Sequence, residues 1–489
     1  MQNFRMWIGG KWVEAKSGKT FPVVNPANGE EFARVALAGD DEVDRAVEAA
    51  RKAFPIWSRN TASDRAKILS LIADAIAENA EEIVRIETLD HGWPIKQARS
   101  LILRSIDILG YAGAMSKAIM GIQVPATRNT LSYIAREPVG VCAAVIPWNV
   151  PFTGAVQMMA KNLAVGNTCV IKPASLDCLS ALKLAELLEK IDLPPGAVNI
   201  ITGPGGLTGK ALVSHPEVDL ISFVGSTEAG KDILSHAAKT VKNTIMELGG
   251  KNPFIVLEDA DVDAATEALA FCQNTNSGQI CASPGRVYVH AKIYDEFVDK
   301  LVSETRKIKV GDPFDDSTQM GPVVGEDHRD KIEGYIRIGI EEGATVVLGG
   351  NRPKAPLDRG YYVMPTVFRD VSHTMRIARE EIFGPVACII KFDDEQKVVD
   401  LANDTRYGLC ASVWTKDLAK GIRLAGEINT GAVWVNEHMM NLKELPWGGN
   451  KESGIGRDGS CVVGLEHYTQ LKVVYADISG LSKKPWHTL

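Results

Sequence analysis

Apolar residues recur at helical spacing early in the chain. In residues 40–54, DDEVDRAVEAARKAF, Val43, Val47, Ala50 and Phe54 share one face behind an aspartate cap. Residues 63–89 continue with Leu69, Ile72, Ala73, Ile76, Ile83 and Val84 on one stripe. Both stretches predict core-facing helices. From residue 138 the pattern changes. The β-rich runs GVCAAVIP, TCVIKP, VNIITG and LISFVG alternate with helical runs through ALKLAELLEK, GLTGKALVSH and STEAGKDIL. That alternation predicts βαβ units and a parallel sheet. After Pro253 it resumes with PFIVLE, a helix over 261–274, GRVYVH, a helix through YDEFVDKLVSETRKI, then ATVVLGG, PVACIIKF, CASVWT and GAVWVN. These runs predict a second α/β domain.

Two segments belong to neither series. TLSYIARE (130–137) and YTQLKVVYAD (468–477) alternate as exposed strands. They are expected to pair as an arm that docks on another subunit, with a surface hairpin as the bland alternative. Residues 138–160 carry no charge and are long enough to span a bilayer. Pro147, Asn149 and Pro151 would break a spanning helix, so a buried strand, a sharp turn and a buried helix are expected.

Composition narrows the class. At roughly 150 residues per domain, 489 residues suggest about three domains. With 54 basic and 61 acidic residues the net charge is −7, which points to neither a nucleic-acid nor a membrane partner. The eight cysteines form no CxxC pair, so free thiols in a reducing compartment are expected. The N-terminus lacks the apolar core of a signal peptide, and the expected location is the cytoplasm. Nine scattered histidines without HExxH suggest no metal.

Several residues then stand out for chemistry. FVGSTEAG (223–230) reads as a strand end, a glycine turn and a helix start, a place where backbone amides suit an anion. Its Gly225-x4-Gly230 spacing is not the tight GxGxxG, and a plain turn is equally compatible. TGPGG (202–206) is as ambiguous. Lys172 closes an apolar strand at the sheet edge where ligands sit, so it either donates to ribose hydroxyls or simply faces solvent.

Cys281 follows Ser277-Gly278-Gln279 and precedes Pro284-Gly285, whereas Cys142, Cys178, Cys272 and Cys388 sit in apolar runs suited to packing. A reactive thiol needs access and a lowered pKa, and a loop on a rigid scaffold offers the access. Glu247, in TIMELGGKNP, is a candidate general base, or a cap. Asn149, held between prolines in IPWNVP, is a candidate oxyanion donor, or a turn residue.

Taken together, PWNVP, IKPAS, FVGSTEAG, MELGGKNP, SGQIC, EEIFGPV (380–386) and PWGGNKESGIGR (446–457) occur in the order found in the aldehyde dehydrogenase superfamily, and the chain resembles that superfamily over essentially its whole length. The resemblance implies a Rossmann-like parallel-sheet cofactor domain (1–115 and 138–249) and an α/β catalytic domain (250–448). It also implies an oligomerisation arm with a C-terminal return (116–137 and 449–489), in a homodimer or homotetramer. Cys281 matches the nucleophile, Asn149 the oxyanion donor beside the Cys281 amide, and Glu247 the general base. Lys172 and Glu381 match ribose contacts, Ser226 a pyrophosphate contact, Gly225 and Gly230 the turn, and Phe383 a residue beside the nicotinamide. Ile146, Pro147, Trp148, Ser175, Gly205, Phe223 and Leu248 complete the implied cofactor cleft. The reaction implied is oxidation of an aldehyde to the acid through a thiohemiacetal and a thioester.

This sequence departs from the family pattern at several positions. Ser175 stands where NAD-preferring members often carry glutamate, so NAD is expected and NADP stays open. Gln157 and Met158 replace a Trp-Lys pair, and Asp458 replaces a frequent glutamate. Val150, Thr153, Gln157, Thr275, Ile280, Asn441 and Trp447 align with substrate-funnel positions that are often aromatic, which implies a polar substrate or a compact one stacking on Trp447. Betaine-aldehyde enzymes share the Pro-Trp-Gly-Gly run, but Gln157 lacks the second aromatic of a cation cage. The competing readings are a CoA-acylating dehydrogenase, disfavoured by Glu247, and a non-catalytic protein that keeps the fold.

Overall fold

The computed structural model describes residues 2–440 and 442–479. Among them the strands build two large sheets and two small ones. The first large sheet has eight strands. Its centre is parallel, in the spatial order Asn243–Glu247, Leu220–Val224, Val141–Val145, Thr168–Lys172 and Val198–Ile200. Antiparallel strands close both edges: Met6–Ile8 and Lys11–Val13 on one side, Gly454–Ile455 on the other. The chain order therefore reverses between Val141–Val145 and Leu220–Val224. A crevice opens outside the carboxyl ends of strands at such a reversal.

The second sheet has seven strands, parallel except for the edge strand Thr345–Leu348. Its strands Asn252–Val256, Pro284–His290 and Val386–Phe392 begin just after Gly249–Gly250, Cys281 and Phe383. The carboxyl edge of the first sheet thus faces the amino edge of the second. Both sheets are covered by helices, and their central strands are buried on both faces. The uncharged stretch is the strand Val141–Val145, a turn, and the buried helix Pro151–Val165. Among the described residues no helix is long and apolar enough to cross a membrane.

The first predicted helix spans Asp40–Trp57, but its cap is Gly39, whose amide donates to Glu42 Oε2 at 2.9 Å; no aspartate caps it. The stripe over 63–89 is two helices, Ala62–Glu78 and Ala80–His91. Asn79 separates them because its side chain donates back to the Ala75 carbonyl at 2.8 Å while its backbone leaves the helical region. The two segments that stood apart do pair. Thr469–Asp477 runs antiparallel to Thr130–Pro138 along nine residues, from Thr469 opposite Pro138 to Asp477 opposite Thr130. Leu471, Val473 and Tyr475 lie exposed on one face of this ribbon, Leu131 and Tyr133 on the other.

Candidate active site

A cavity of about 670 Å³ lies between the facing sheet edges, and Cys281, Asn149, Glu247, Glu381 and Phe383 all line it. Residues separated by more than 230 positions meet here because both sheets deliver loops to one crevice.

Cys281 sits on the loop that follows the helix Val262–Asn274. Three consecutive residues, Asn276, Ser277 and Gly278, take positive φ values of 50°, 55° and 73°. A Cβ on Gly278 would lie 2.2 Å from the Gly384 carbonyl carbon, so only glycine fits that contact. For Asn276 and Ser277 the left-handed backbone is strained, and hydrogen bonds hold it. Ser277 Oγ donates to the Gly321 carbonyl at 2.8 Å, Gln279 Nε2 to the Asn276 carbonyl at 2.9 Å, and the Val324 amide to Gln279 Oε1 at 2.9 Å. Asn252 Nδ2 donates to the Cys281 carbonyl at 2.8 Å, tying the loop's end to the second sheet. Seven cysteines are buried and Cys281 is partly exposed. The lowered pKa expected from the sequence is absent in this arrangement. Burial, then the charges of Glu381 and Glu247, push the thiol up to about 12, against backbone hydrogen bonds from Ala282 and its own amide.

Asn149 is buried in the turn between Val141–Val145 and Pro151–Val165. Its Nδ2 donates to the Gln279 carbonyl at 2.9 Å, leaving its second hydrogen for a ligand oxygen. Its own carbonyl accepts from Trp93 Nε1 at 3.1 Å and from Asn276 Nδ2 at 3.0 Å. Glu247 ends its strand buried, and neither carboxylate oxygen has a hydrogen-bond partner. Burial, then the charge of Asp458, holds its carboxyl well above the usual range, while Lys161 and Arg457 pull the other way. Met158, one helical turn before Lys161, accepts a hydrogen bond from Ser222 on its sulfur at 3.1 Å. Lys161 itself is buried and bonds both Asp458 oxygens.

Of the implied cofactor residues, Pro147, Trp148, Gly225, Ser226 and Leu248 also line the cavity. A Cβ on Gly225 would fall 2.4 Å from the Phe223 ring, and one on Gly230 2.5 Å from Leu248 Cδ2, so a side chain at either position would displace its neighbour. Ser226 caps the helix Thr227–Ala237, its Oγ accepting from the Ala229 amide at 3.2 Å. Glu381 accepts from the Gly250 amide at 3.0 Å. Phe383, with φ at 61°, sets its ring edge-on to Trp148 at 5.2 Å.

Lys172, Ile146, Ser175, Gly205, Phe223 and Gly230 do not line the cavity. Ile146 is pinned to its neighbour strand through the Lys172 carbonyl at 3.1 Å. Lys172 is buried, its Nζ donates to the Pro173 carbonyl at 2.9 Å, and burial lowers it to about 8. Ser175 is half-exposed in the loop after that strand, and Gly205 opens an exposed turn.

On the substrate side, Val150, Thr153, Gln157, Thr275, Ile280 and Trp447 line the cavity, and Asn441 lies outside the described residues. The two threonines add less polarity than their type suggests. Thr153 Oγ1 accepts from Ser105 at 3.0 Å, and Thr275 Oγ1 donates to the Phe271 carbonyl at 2.9 Å. The second aromatic missing at Gln157 comes from elsewhere: Trp434 stands 6.0 Å from Trp447, tilted by 33°. Sequence reading missed Trp434, Trp93, Arg104, His328 and Glu437, all of which line the cavity. Only tertiary placement distinguishes them from ordinary core or surface residues.

The model of the aldehyde dehydrogenase family matches residues 12–474. A betaine aldehyde dehydrogenase of Brucella anthropi is 41% identical over 474 residues, covering 96% of this chain and 97% of that one. The crystal structure of Staphylococcus aureus betaine aldehyde dehydrogenase in complex with NAD+ superposes with a TM-score of 0.96 at 37% identity, over 99% of this chain and 96% of that one. A point mutant of the same enzyme with NAD+ gives 0.95 at 38% identity, over 97% of each chain. With the Cys281 loop, the Asn149 amide and the buried Glu247 carboxylate gathered in one cavity, this protein is a member of the aldehyde dehydrogenase family.

Proposed function

We propose that the chain oxidises an aldehyde to its carboxylic acid with NAD, using Cys281 as nucleophile, Asn149 as oxyanion donor and Glu247 as general base. The observation that carries this reading is the buried, hydrogen-bond-free carboxylate of Glu247 lining the same cavity as Cys281 and the Asn149 amide. A buried carboxylate without partners is costly to keep and suits a group that must bind water.

The crevice at the chain reversal fits a dinucleotide, because Gly225 lines it without a side chain and the turn leads into a helix N-terminus. Ser226, Glu381 and Phe383 would hold it, with Lys172 reaching it only by leaving the Pro173 carbonyl. When bound, NAD supplies the hydride acceptor. In this reading residues 1–115 and 138–249 carry the nucleotide and residues 250–448 the nucleophile.

Cys281 adds to the aldehyde carbon as a thiolate. The Asn149 NH2 and the Cys281 amide hold the oxyanion, each donor worth about 3 kcal/mol in comparable sites. The charge coupling between Cys281 and Glu247 orders the steps. While Glu247 is neutral the thiol ionises more readily. Once Cys281 is acylated no thiolate charge remains nearby, so Glu247 ionises more readily and stands as the carboxylate that takes a proton from water as that water attacks the thioester.

The substrate we favour is a compact aldehyde with a polar or cationic group, seated on the Trp434 and Trp447 indoles near Glu437. The likeness to betaine aldehyde dehydrogenases makes betaine aldehyde the first compound to try. The apolar rows exposed on the 130–138 and 469–477 ribbon fit a homodimer or homotetramer, and eight free thiols fit the cytoplasm. An aldehyde panel with NAD and with NADP, run with and without CoA and followed by reduced-cofactor absorbance, tests the reading. Carboxylic acid as the product, with Cys281→Ala inactive, is expected. Strict dependence on CoA would replace hydrolysis by acyl transfer, and silence across the panel would leave a binding protein.

A further inference from the structure

A buried chain of side chains runs behind the oxyanion amide. His91 ends the helix Ala80–His91 and is fully buried. Its Nδ1 lies 2.8 Å from Asp177 Oδ2, and its Nε2 2.9 Å from Asn276 Oδ1. Asn276 Nδ2 in turn reaches the Asn149 carbonyl at 3.0 Å and the Gln279 carbonyl at 3.4 Å. Those two carbonyls belong to the residues joined by the Asn149 Nδ2 bond. Asn276 is also one of the left-handed residues of the nucleophile loop.

The donors along this chain can be assigned. Asn276 must present its NH2 to two carbonyls, so its Oδ1 accepts and His91 Nε2–H donates. A neutral ring then has Nδ1 as an acceptor, and Asp177 meets it as the carboxylic acid. The surroundings favour this arrangement. Burial lowers His91 to about 4, and burial with the charges of Asp90 and Glu87 holds Asp177 well above the usual carboxylate range.

We propose that His91 is a positioning residue for acyl transfer: held by Asp177, it fixes the Asn276 amide, which sets both the Asn149 turn and the Gln279–Cys281 backbone that together form the oxyanion site. The inference rests on the roles given above to Asn149 and Cys281.

The test needs no nucleotide. Cys281 attack on 4-nitrophenyl acetate forms the acetyl thioester and expels 4-nitrophenolate, so the burst rate of that ion reads oxyanion stabilisation directly. His91→Phe is expected to slow the burst about tenfold to hundredfold, the scale of a small misplacement of a reacting group. His91→Gln, which can still donate to Asn276, should recover most of it, and Asp177→Asn, which still donates to Nδ1, should lose far less than Asp177→Leu. The decisive comparison is with Asn149→Ala. If His91 acts through the oxyanion site, His91→Phe slows Asn149→Ala little further. A wild-type burst rate in His91→Phe, or full multiplication of the two losses, overturns the proposal. Should His91→Phe not fold, Asn276→Asp carries the same comparison, since it sets an acceptor against two carbonyls. A burst that survives Cys281→Ala would instead strike the assignment of the site itself.

Discussion

The Asn149 Nδ2 donates to the Gln279 carbonyl at 2.9 Å, so the turn after the first sheet's central strand is fastened to the loop two residues before Cys281. One hydrogen of the Asn149 amide is thereby spent on geometry and the other is left for a ligand oxygen. Asn149→Ala should lower the rate of thioester formation about 10²- to 10³-fold, the usual cost of one oxyanion donor. Nucleotide binding should change little. Rapid-mixing measurement of the first turnover beside a nucleotide titration checks this, and an equal loss in both would show that the turn, not the donor, had failed.

The Cys281 thiol, held at about 12, should stay mostly protonated in the nucleotide-free protein. Alkylation by iodoacetamide should therefore be slow near neutrality and should climb about tenfold per pH unit from 7 to 10, because only the thiolate reacts. Mass mapping will assign the label, and the seven buried cysteines should lag. A plateau below pH 9 would mean that the thiol ionises far more easily than its surroundings suggest.

Glu247→Gln should form one equivalent of reduced cofactor and then stall, because hydrolysis loses its base. In the wild type, the raised carboxyl means that hydrolysis should be protonation-limited on the acid side and quicken as pH rises through that elevated value. Unchanged steady-state turnover in Glu247→Gln would remove the base assignment.

Lys172 is buried and lowered to about 8, against 10.5 for the free side chain. Between these values the folded protein binds fewer protons than the unfolded chain, so this residue makes stability rise with pH from about 8 to 10.5. Below 8 the penalty is complete, on the order of 3 kcal/mol. Lys172→Met should raise the melting temperature at pH 7, and the gain should shrink by pH 10. If Lys172 reaches the ribose, the same variant should bind nucleotide more weakly. Calorimetric scans at the two pH values decide the first point and a binding titration the second.

Leu471, Val473 and Tyr475 present an apolar row with exposures of 60%, 71% and 61%. A charge in the middle of a buried subunit contact would be strongly unfavourable. Val473→Lys should therefore reduce the molar mass seen by light scattering while the far-ultraviolet spectrum is kept. An unchanged mass would move the contact off this ribbon.

The alternation of β-rich and helical runs already specified parallel sheets, because short apolar stretches bounded by turns cannot be half-exposed strands. Cys281 was separable from its seven fellows for a similarly local reason: the glycines and proline on either side of it mark a loop rather than an apolar run. Glu247 and Asn149 also stood out through their neighbours. Element edges were less accessible. The Asn79 break and the Gly39 cap rest on single hydrogen bonds that compete with helix continuation. Only the folded chain could show that Trp434 stands beside Trp447, that the threonine hydroxyls bond Ser105 and the Phe271 carbonyl, or that His91, Asp177 and Asn276 stand behind Asn149. The charge state of the site belongs there as well. A cysteine loop looks reactive from its residues, yet the burial and neighbouring carboxylates that hold the thiol up arrive from strands and loops far along the chain. Local pattern determines backbone class because sterics and hydrophobic period act within a few residues, whereas pKa, donor direction and pocket shape depend on groups that only the meeting of two sheet edges brings together.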